Sequence, residues 1–181
     1  MELSDPILVR RLREGDPAAF DVVYANYRPR VYGFLVRMSR RPEVAEELLQ
    51  ETFLRLARHA GRLDPETRLG VWLFAVARNL WRSWARWSIL DGERLALLAT
   101  RWVGRQPPTP GEVADAVETA RRLERAIAAL TPALREVALL VAVERMELSV
   151  VGEILGLSPE AVRQRWSRAR SFLEAEVRDV A

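Results

Sequence analysis

Val151-Gly152-Glu153-Ile154-Leu155-Gly156-Leu157-Ser158-Pro159-Glu160-Ala161-Val162 has the pattern of one helix ending, a tight turn and a second helix starting. Val151, Leu155, Leu157 and Val162 are spaced to be buried between the two helices. Gly152 is a small residue where the helices cross closely. Gly156 supplies the left-handed backbone that the turn needs. Ser158 caps the second helix, Pro159 fills its first turn, and Glu160 sits at its positive end. This is a helix-turn-helix, and its second helix is basic. Residues 160–172 carry Arg163, Arg165, Arg168 and Arg170 against one acid. Arg163, Gln164, Ser167 and Arg168 lie within about one turn, so they share a face that suits a major groove. Arg bridges guanine O6 and N7, and Gln pairs with adenine. Arg165 and Arg170 have the character of phosphate contacts or surface charge. A solvated basic face on a structural helix would carry the same charges. The cap, the glycine turn and the polar stripe together favour DNA.

Upstream, every segment is again helical, and no period-two strand stands out. Ser4-Asp5-Pro6 opens a short helix that Gly15 ends. Asp16-Pro17 opens a second, whose stripe is Phe20, Val23, Tyr24, Tyr27, Val31, Phe34, Leu35 and Met38. Pro29 is expected to kink or interrupt it. A third follows Pro42 and buries Val44, Leu48, Leu49, Phe53 and Leu56. A fourth runs from Gly70 to about Ser88 on Leu73, Val76, Ala77, Leu80 and Trp84. Gln106-Pro107-Pro108-Thr109-Pro110-Gly111 is the clearest linker. Helical spacing then resumes with Val113, Ala116, Val117, Ala120, Leu123, Ile127 and Leu130. Thr131-Pro132 caps a further helix through Val143. The expected fold is all-α: a domain over 1–90, a tether over 91–118, and a helix-turn-helix domain over 119–181.

Composition narrows the chemistry. All 28 basic residues of the 181 are Arg; there is no Cys, and His59 is the single His. That leaves no disulfide, no Cys-based zinc site, no Walker lysine and no Schiff-base lysine. His59 stands at a helix end and reads as a surface imidazole. No catalytic set, metal or cofactor is expected. The longest uncharged apolar runs, residues 69–77 and 137–143, fall far short of the roughly 18 needed to span a bilayer. The N-terminus carries Glu2 and Asp5 and is no signal peptide, so a cytoplasmic protein is expected. Codon bias alone accounts for an Arg-only set, so composition does not decide for nucleic acid.

Two more segments are informative. The fourth helix holds Trp72, Trp81, Trp84 and Trp87, with Arg78, Arg82 and Arg86 at intervals of four and no acid. Charge beside aromatic rings suits unstacked bases. Asn79 and Ser83 add neutral hydrogen-bonding groups. Trp72 and Trp84 fit the core, which leaves Trp81 and Trp87 as candidates for exposure. The third helix is the reverse: Glu43, Glu46, Glu47, Gln50 and Glu51 line one side, a face that repels DNA and suits a basic protein partner. A plain solvated face is the alternative.

The order of these pieces resembles bacterial sigma factors of the short, two-domain extracytoplasmic-function class. Ala45-Glu46-Glu47-Leu48-Leu49-Gln50-Glu51-Thr52-Phe53 resembles the family's acidic Gln-Glu-x-Phe segment. Trp72-Leu73-Phe74-Ala75-Val76-Ala77-Arg78-Asn79 resembles its Trp-Leu-x-x-Ile-Ala-Arg-Asn run. Leu130-Thr131-Pro132 with Arg135-Glu136-Val137, and the stretch from Glu153 through Arg170, resemble its −35-reading domain. The match spans roughly residues 16–88 and 120–175. The resemblance implies a transcription initiation factor and not an enzyme. Glu46, Glu47, Gln50 and Glu51 would dock core RNA polymerase at the β′ clamp helices, with the β flap as a further contact. Asn79 and Ser83 would contact the −10 strand, beside the Arg78, Arg82 and Arg86 already read as nucleic-acid contacts, and residues 62–69 would help pocket a flipped base. Arg163, Gln164, Ser167 and Arg168 would face the −35 groove. An anti-sigma protein is the implied regulator. The family more often has Asp at the place of Ser83, an acid at Val44, and Ala at Gly152. Where it usually shows Gly and then Ser-Tyr, this chain has Arg145-Met146-Glu147-Leu148. The competing reading is a stand-alone helix-turn-helix regulator that binds duplex DNA without polymerase.

Overall fold

Proline punctuates the chain: four helices start on one, at Pro17, Pro42, Pro132 and Pro159. A first-turn proline has no N–H to leave unpaired, and its fixed φ already suits the helix. A computed structural model describes residues 4–90 and 113–178. Those residues form α1 (Asp5–Arg13), α2 (Pro17–Ser39), α3 (Pro42–His59), a 3-10 turn (Ala60–Arg62), α4 (Leu69–Leu90), α5 (Val113–Ala129), α6 (Pro132–Ala138), a π-helical segment (Leu139–Val143), α7 (Leu148–Leu155) and α8 (Pro159–Arg178). No strand occurs among them. The chain divides into two compact units, one built on α1–α4 and one on α5–α8. The linker 106–111 lies outside the described residues. Helix α5 starts at Val113, so the last residues of the expected 91–118 tether are helical, in keeping with their apolar three-four spacing.

In the first unit the Asp16 carboxylate accepts the Ala18 N–H at 2.9 Å and the Arg11 Nε–H at 2.7 Å. Arg11 thereby holds that carboxyl below the ordinary Asp range. Helix α2 continues across Pro29, so of the two expected outcomes the interruption does not occur. Pro29 is itself exposed, while Val31, Phe34, Leu35 and Met38 just beyond it are buried. That burial outweighs the roughly 3 kcal/mol an internal proline costs. Phe34 meets Phe74 of α4 edge to face, with ring centroids 5.6 Å apart. The whole expected α3 stripe is buried. Tyr24 is on the rim of this core, against Phe53 at 4.8 Å.

In the second unit, Leu130, Ala138 and Ala169 form a core cluster under Leu134, Trp166, Phe172 and Leu173. Ile127 and Leu130 of the expected stripe are buried, with Ala126 beside them, but Ala120 and Leu123 are exposed. The helix expected to run evenly to Val143 turns π-helical from Leu139. Arg145, just beyond it, has φ +54°. The family glycine expected near this point fits that left-handed backbone, which costs an L-residue about 1–2 kcal/mol. Arg145→Gly relieves that strain but gives the unfolded chain about 0.5–1 kcal/mol more freedom. The expected net gain is therefore below about 1 kcal/mol, read as a small rise in thermal midpoint.

Candidate nucleic-acid interface

The turn of the helix-turn-helix follows its sequence closely. Gly156 has φ +65°, and the Leu157 N–H reaches the Gly152 carbonyl at 2.9 Å, which closes α7 in a Schellman pattern. A Cβ built on Gly152 would sit 2.8 Å from the Leu157 carbonyl oxygen and 3.8 Å from Val162. The glycine is where the two helices meet. Val151, Leu155 and Val162 are buried and Leu157 is half-buried. Ser158 Oγ accepts the Ala161 N–H at 3.2 Å, starting α8.

With Val162 and Ala169 turned inward, the opposite side of α8 is left to solvent. Arg163, Gln164, Ser167 and Arg168 are all exposed there, in two adjacent rows at a spacing of four. Glu160 pairs with Arg163 and accepts from Gln164 Nε2 at 3.4 Å. Arg170 is tied to Glu174 at 2.7 Å. Arg165, expected as a phosphate contact or surface charge, is half-buried and stands 3.7 Å from Glu136 of α6.

Helix α4 brings together most of its expected set. Asn79, Arg82 and Arg86 are exposed and Ser83 is half-buried, at offsets of three, four and seven from Asn79. Arg78 does not join them: it is 7% exposed. A spacing of four advances about 40° around a helix, so Arg78 lies some 80° from Arg86 and tips toward the core. The exposed cationic ridge is therefore Arg82 and Arg86. Trp81 is also inside, at 8% exposure, against the expectation that it shared the surface with Trp87. It stands two residues, about 200°, from the outward Asn79. Trp87 is 70% exposed beside the ridge. Trp72 and Trp84, expected in the core, are half-buried. Below α4, the Leu69 N–H donates to Asp5 Oδ2 at 2.9 Å, and Glu66 N–H to Asp64 Oδ1 at 2.8 Å. These bonds anchor the segment 62–69 at its end and at its turn.

On α3 the exposed line is Glu43, Glu47, Gln50 and Leu54. Glu46 is half-buried, 3.9 Å from Arg28, and Glu51 holds Arg55 at 2.8 Å, which keeps the Glu51 carboxyl below its ordinary range. Leu54, 49% exposed, is the residue that reading by charge misses. Its signal was an apolar side chain four residues after Gln50, off the buried stripe. Such a leucine amid carboxylates suits a protein partner that offers both cations and an apolar patch.

Two family descriptions match the chain: Sigma-70 region 2 over residues 23–88 and Sigma-70, region 4 over residues 120–173. The RNA polymerase sigma factor CarQ of Myxococcus xanthus is 35% identical over 160 residues, covering 88% of this chain and 90% of that protein. The ECF RNA polymerase sigma factor SigW of Bacillus subtilis is 25% identical over 187 residues, covering 99% and 100%. Among solved structures, the sigma factor RpoE in complex with the anti-sigma factor NepR, from Bartonella quintana, shares the fold at TM-score 0.73 and 20% identity, covering 87% of this chain and 96% of that one. Among the described residues no helix is long and apolar enough to cross a membrane.

Proposed function

The chain belongs to the sigma-70 family, in its extracytoplasmic-function class, and from that membership we propose how its two units share the work of starting transcription. It is a sigma factor: it binds core RNA polymerase and directs initiation at specific promoters. The observation that carries the division of labour is the separation of charge between exposed faces. One face of α3 is acidic, and the outward sides of α4 and α8 are basic.

Glu47 and Gln50, with Glu46 and Glu51 beside them and Leu54 at the end of their line, dock the polymerase clamp. An acidic face keeps this surface off DNA and complementary to a basic partner. Asn79, Arg82, Ser83 and Arg86 track the melted −10 strand. Trp87 offers a ring for an unstacked base, worth about 1–3 kcal/mol per stacked base. Arg78 is left out of that set by its burial. The anchored segment 62–69 walls the site where a flipped base is read. Arg163, Gln164, Ser167 and Arg168 read the −35 element. The proline-rich stretch 106–111 serves as the tether between the units. The protein acts by positioning and not by bond chemistry, and it works in the cytoplasm beside the polymerase. A protein of the anti-sigma class, as in the RpoE–NepR complex, is its expected inhibitor.

The test is at the −35 element. Arg168→Ala is expected to cost about 1–3 kcal/mol in holoenzyme binding and to relax the choice at one base pair. Binding to a promoter series with each −35 base replaced in turn measures this. A loss equal across all sequences would demote Arg168 to a phosphate contact.

A further inference from the structure

We infer that Asp5 and Tyr27 together cap the start of α4 from outside it, and that they are positioning residues for opening of the −10 element. This deepens the reading proposed for α4 and for residues 62–69, and rests on it. Neither side chain belongs to the sets read as touching DNA.

A helix leaves its first N–H groups without partners in its own backbone. At α4 the need is acute: Leu69, its first residue, is 0% exposed, so its N–H cannot turn to water. The Arg68 carbonyl accepts the Trp72 N–H at 3.0 Å, which puts Arg68 at the cap position. An Arg side chain has no acceptor to offer there. The acceptor comes from α1 instead, where Asp5 Oδ2 takes the Leu69 N–H at 2.9 Å. The next N–H, that of Gly70, goes to the hydroxyl of Tyr27 on α2, which in turn donates to Asp5. Burial, and then the Asp5 carboxylate, hold the Tyr27 hydroxyl above its ordinary range, so it keeps its proton to donate. A Cβ on Gly70 would stand 3.3 Å from Tyr27 Cε1 and 3.4 Å from its hydroxyl oxygen, so the glycine lets the ring lie against the backbone. A carboxylate at this end also suits the helix dipole.

Asp5 stands three and four residues before Leu8 and Val9, on the buried side of α1. Helix α1 packs on α2 and on the 3-10 turn Ala60–Arg62. It therefore touches the segment 62–69 at both ends, by packing at the 3-10 turn and by a hydrogen bond at Leu69. Asn79 is about 15 Å further along α4. Fraying of the first turn thus moves the wall of the flipped-base site and leaves the ridge of Arg82 and Arg86 in place.

Opening is read in holoenzyme made with the full chain, from a fluorescent base analogue at the flipped −10 position. Asp5→Ala and Tyr27→Phe are each expected to slow opening about tenfold, the scale of one buried donor left unmet. Co-purification with core polymerase, which depends on α3, should stay as in the wild type. Asp5→Asn, whose amide oxygen still accepts the Leu69 N–H, should stay within about threefold of it. In the free full chain, amide exchange at Leu69 and Gly70 should rise about tenfold in Asp5→Ala, with α3 unchanged. Wild-type opening in Asp5→Ala, an Asp5→Asn variant as slow as Asp5→Ala, or a silent Tyr27→Phe overturns the inference. Arg82→Ala in the same assay separates the two levels. If it leaves opening unchanged, the −10 reading fails, whereas wild-type exchange at Leu69 and Gly70 in Asp5→Ala is what overturns the cap.

Discussion

Replacing both Glu47 and Glu51 with arginine is expected to abolish co-purification with core RNA polymerase. Neither residue belongs to the buried side of α3, which is formed by Val44, Ala45, Leu48, Leu49, Thr52, Phe53 and Leu56. The fold should therefore survive. The local cost is modest: Glu51 gives up its pair with Arg55, and like charges four residues apart on a helix cost only about 0.2–0.5 kcal/mol. At the interface the effect is much larger. Juxtaposed like charges cost several kcal/mol, and each 1.4 kcal/mol is about tenfold in affinity. Two reversals should weaken docking by about a hundredfold or more, enough to lose the complex in a pull-down. Unchanged circular dichroism and thermal melting, alongside lost polymerase, is the predicted pair of results. Retained binding would show that α3 is a solvated face and nothing more.

Gly152→Val is the change expected to damage the second unit most. Its Cβ would stand 2.8 Å from a backbone carbonyl oxygen, and that carbonyl lies in the turn that Gly156 closes. A flexible side chain could step aside; this backbone moves only by separating α7 from α8. Overpacking of this kind costs about 1–3 kcal/mol, occasionally more, and the two valine methyl groups press further into Val162. Domains hold only about 5–15 kcal/mol in reserve. A clear fall in the thermal midpoint of the second unit is expected, with −35 binding lost in step and the α3-mediated hold on polymerase kept. An unaltered midpoint would mean that the helices cross less closely than the structure shows.

Where local chemistry decides, the sequence is a good guide. Asp16-Pro17 and Ser158-Pro159 mark helix starts by cap and proline together, and Pro42 and Pro132 do so by the proline alone, since Thr131 makes no side-chain cap bond; these effects act within a few residues. The helix-turn-helix is legible for the same reason. Pro29 does not end α2, because packing of α2 against its neighbours, which propensity does not see, outweighs a local breaker. Trp81 and Arg78 are a different case. Their angular positions were available from the 100° step per residue; a ridge drawn at a spacing of four hides its own drift. Arg165 was not legible. Its partner Glu136 is remote in sequence, and only the packing of α6 on α8 brings the two together. Leu54 shows the limit of reading a face by charge, since an apolar residue in an acidic stripe is neither core nor solvated face.

Run-off transcription tests the central claim most directly. Core RNA polymerase, purified free of other sigma factors, is given promoter-bearing fragments from the host genome, with and without this protein. Discrete transcripts that start at fixed sites, only when the protein is present, are the predicted result. Binding of the protein to duplex DNA on its own, with no such transcripts, would contradict the account and favour a stand-alone helix-turn-helix regulator.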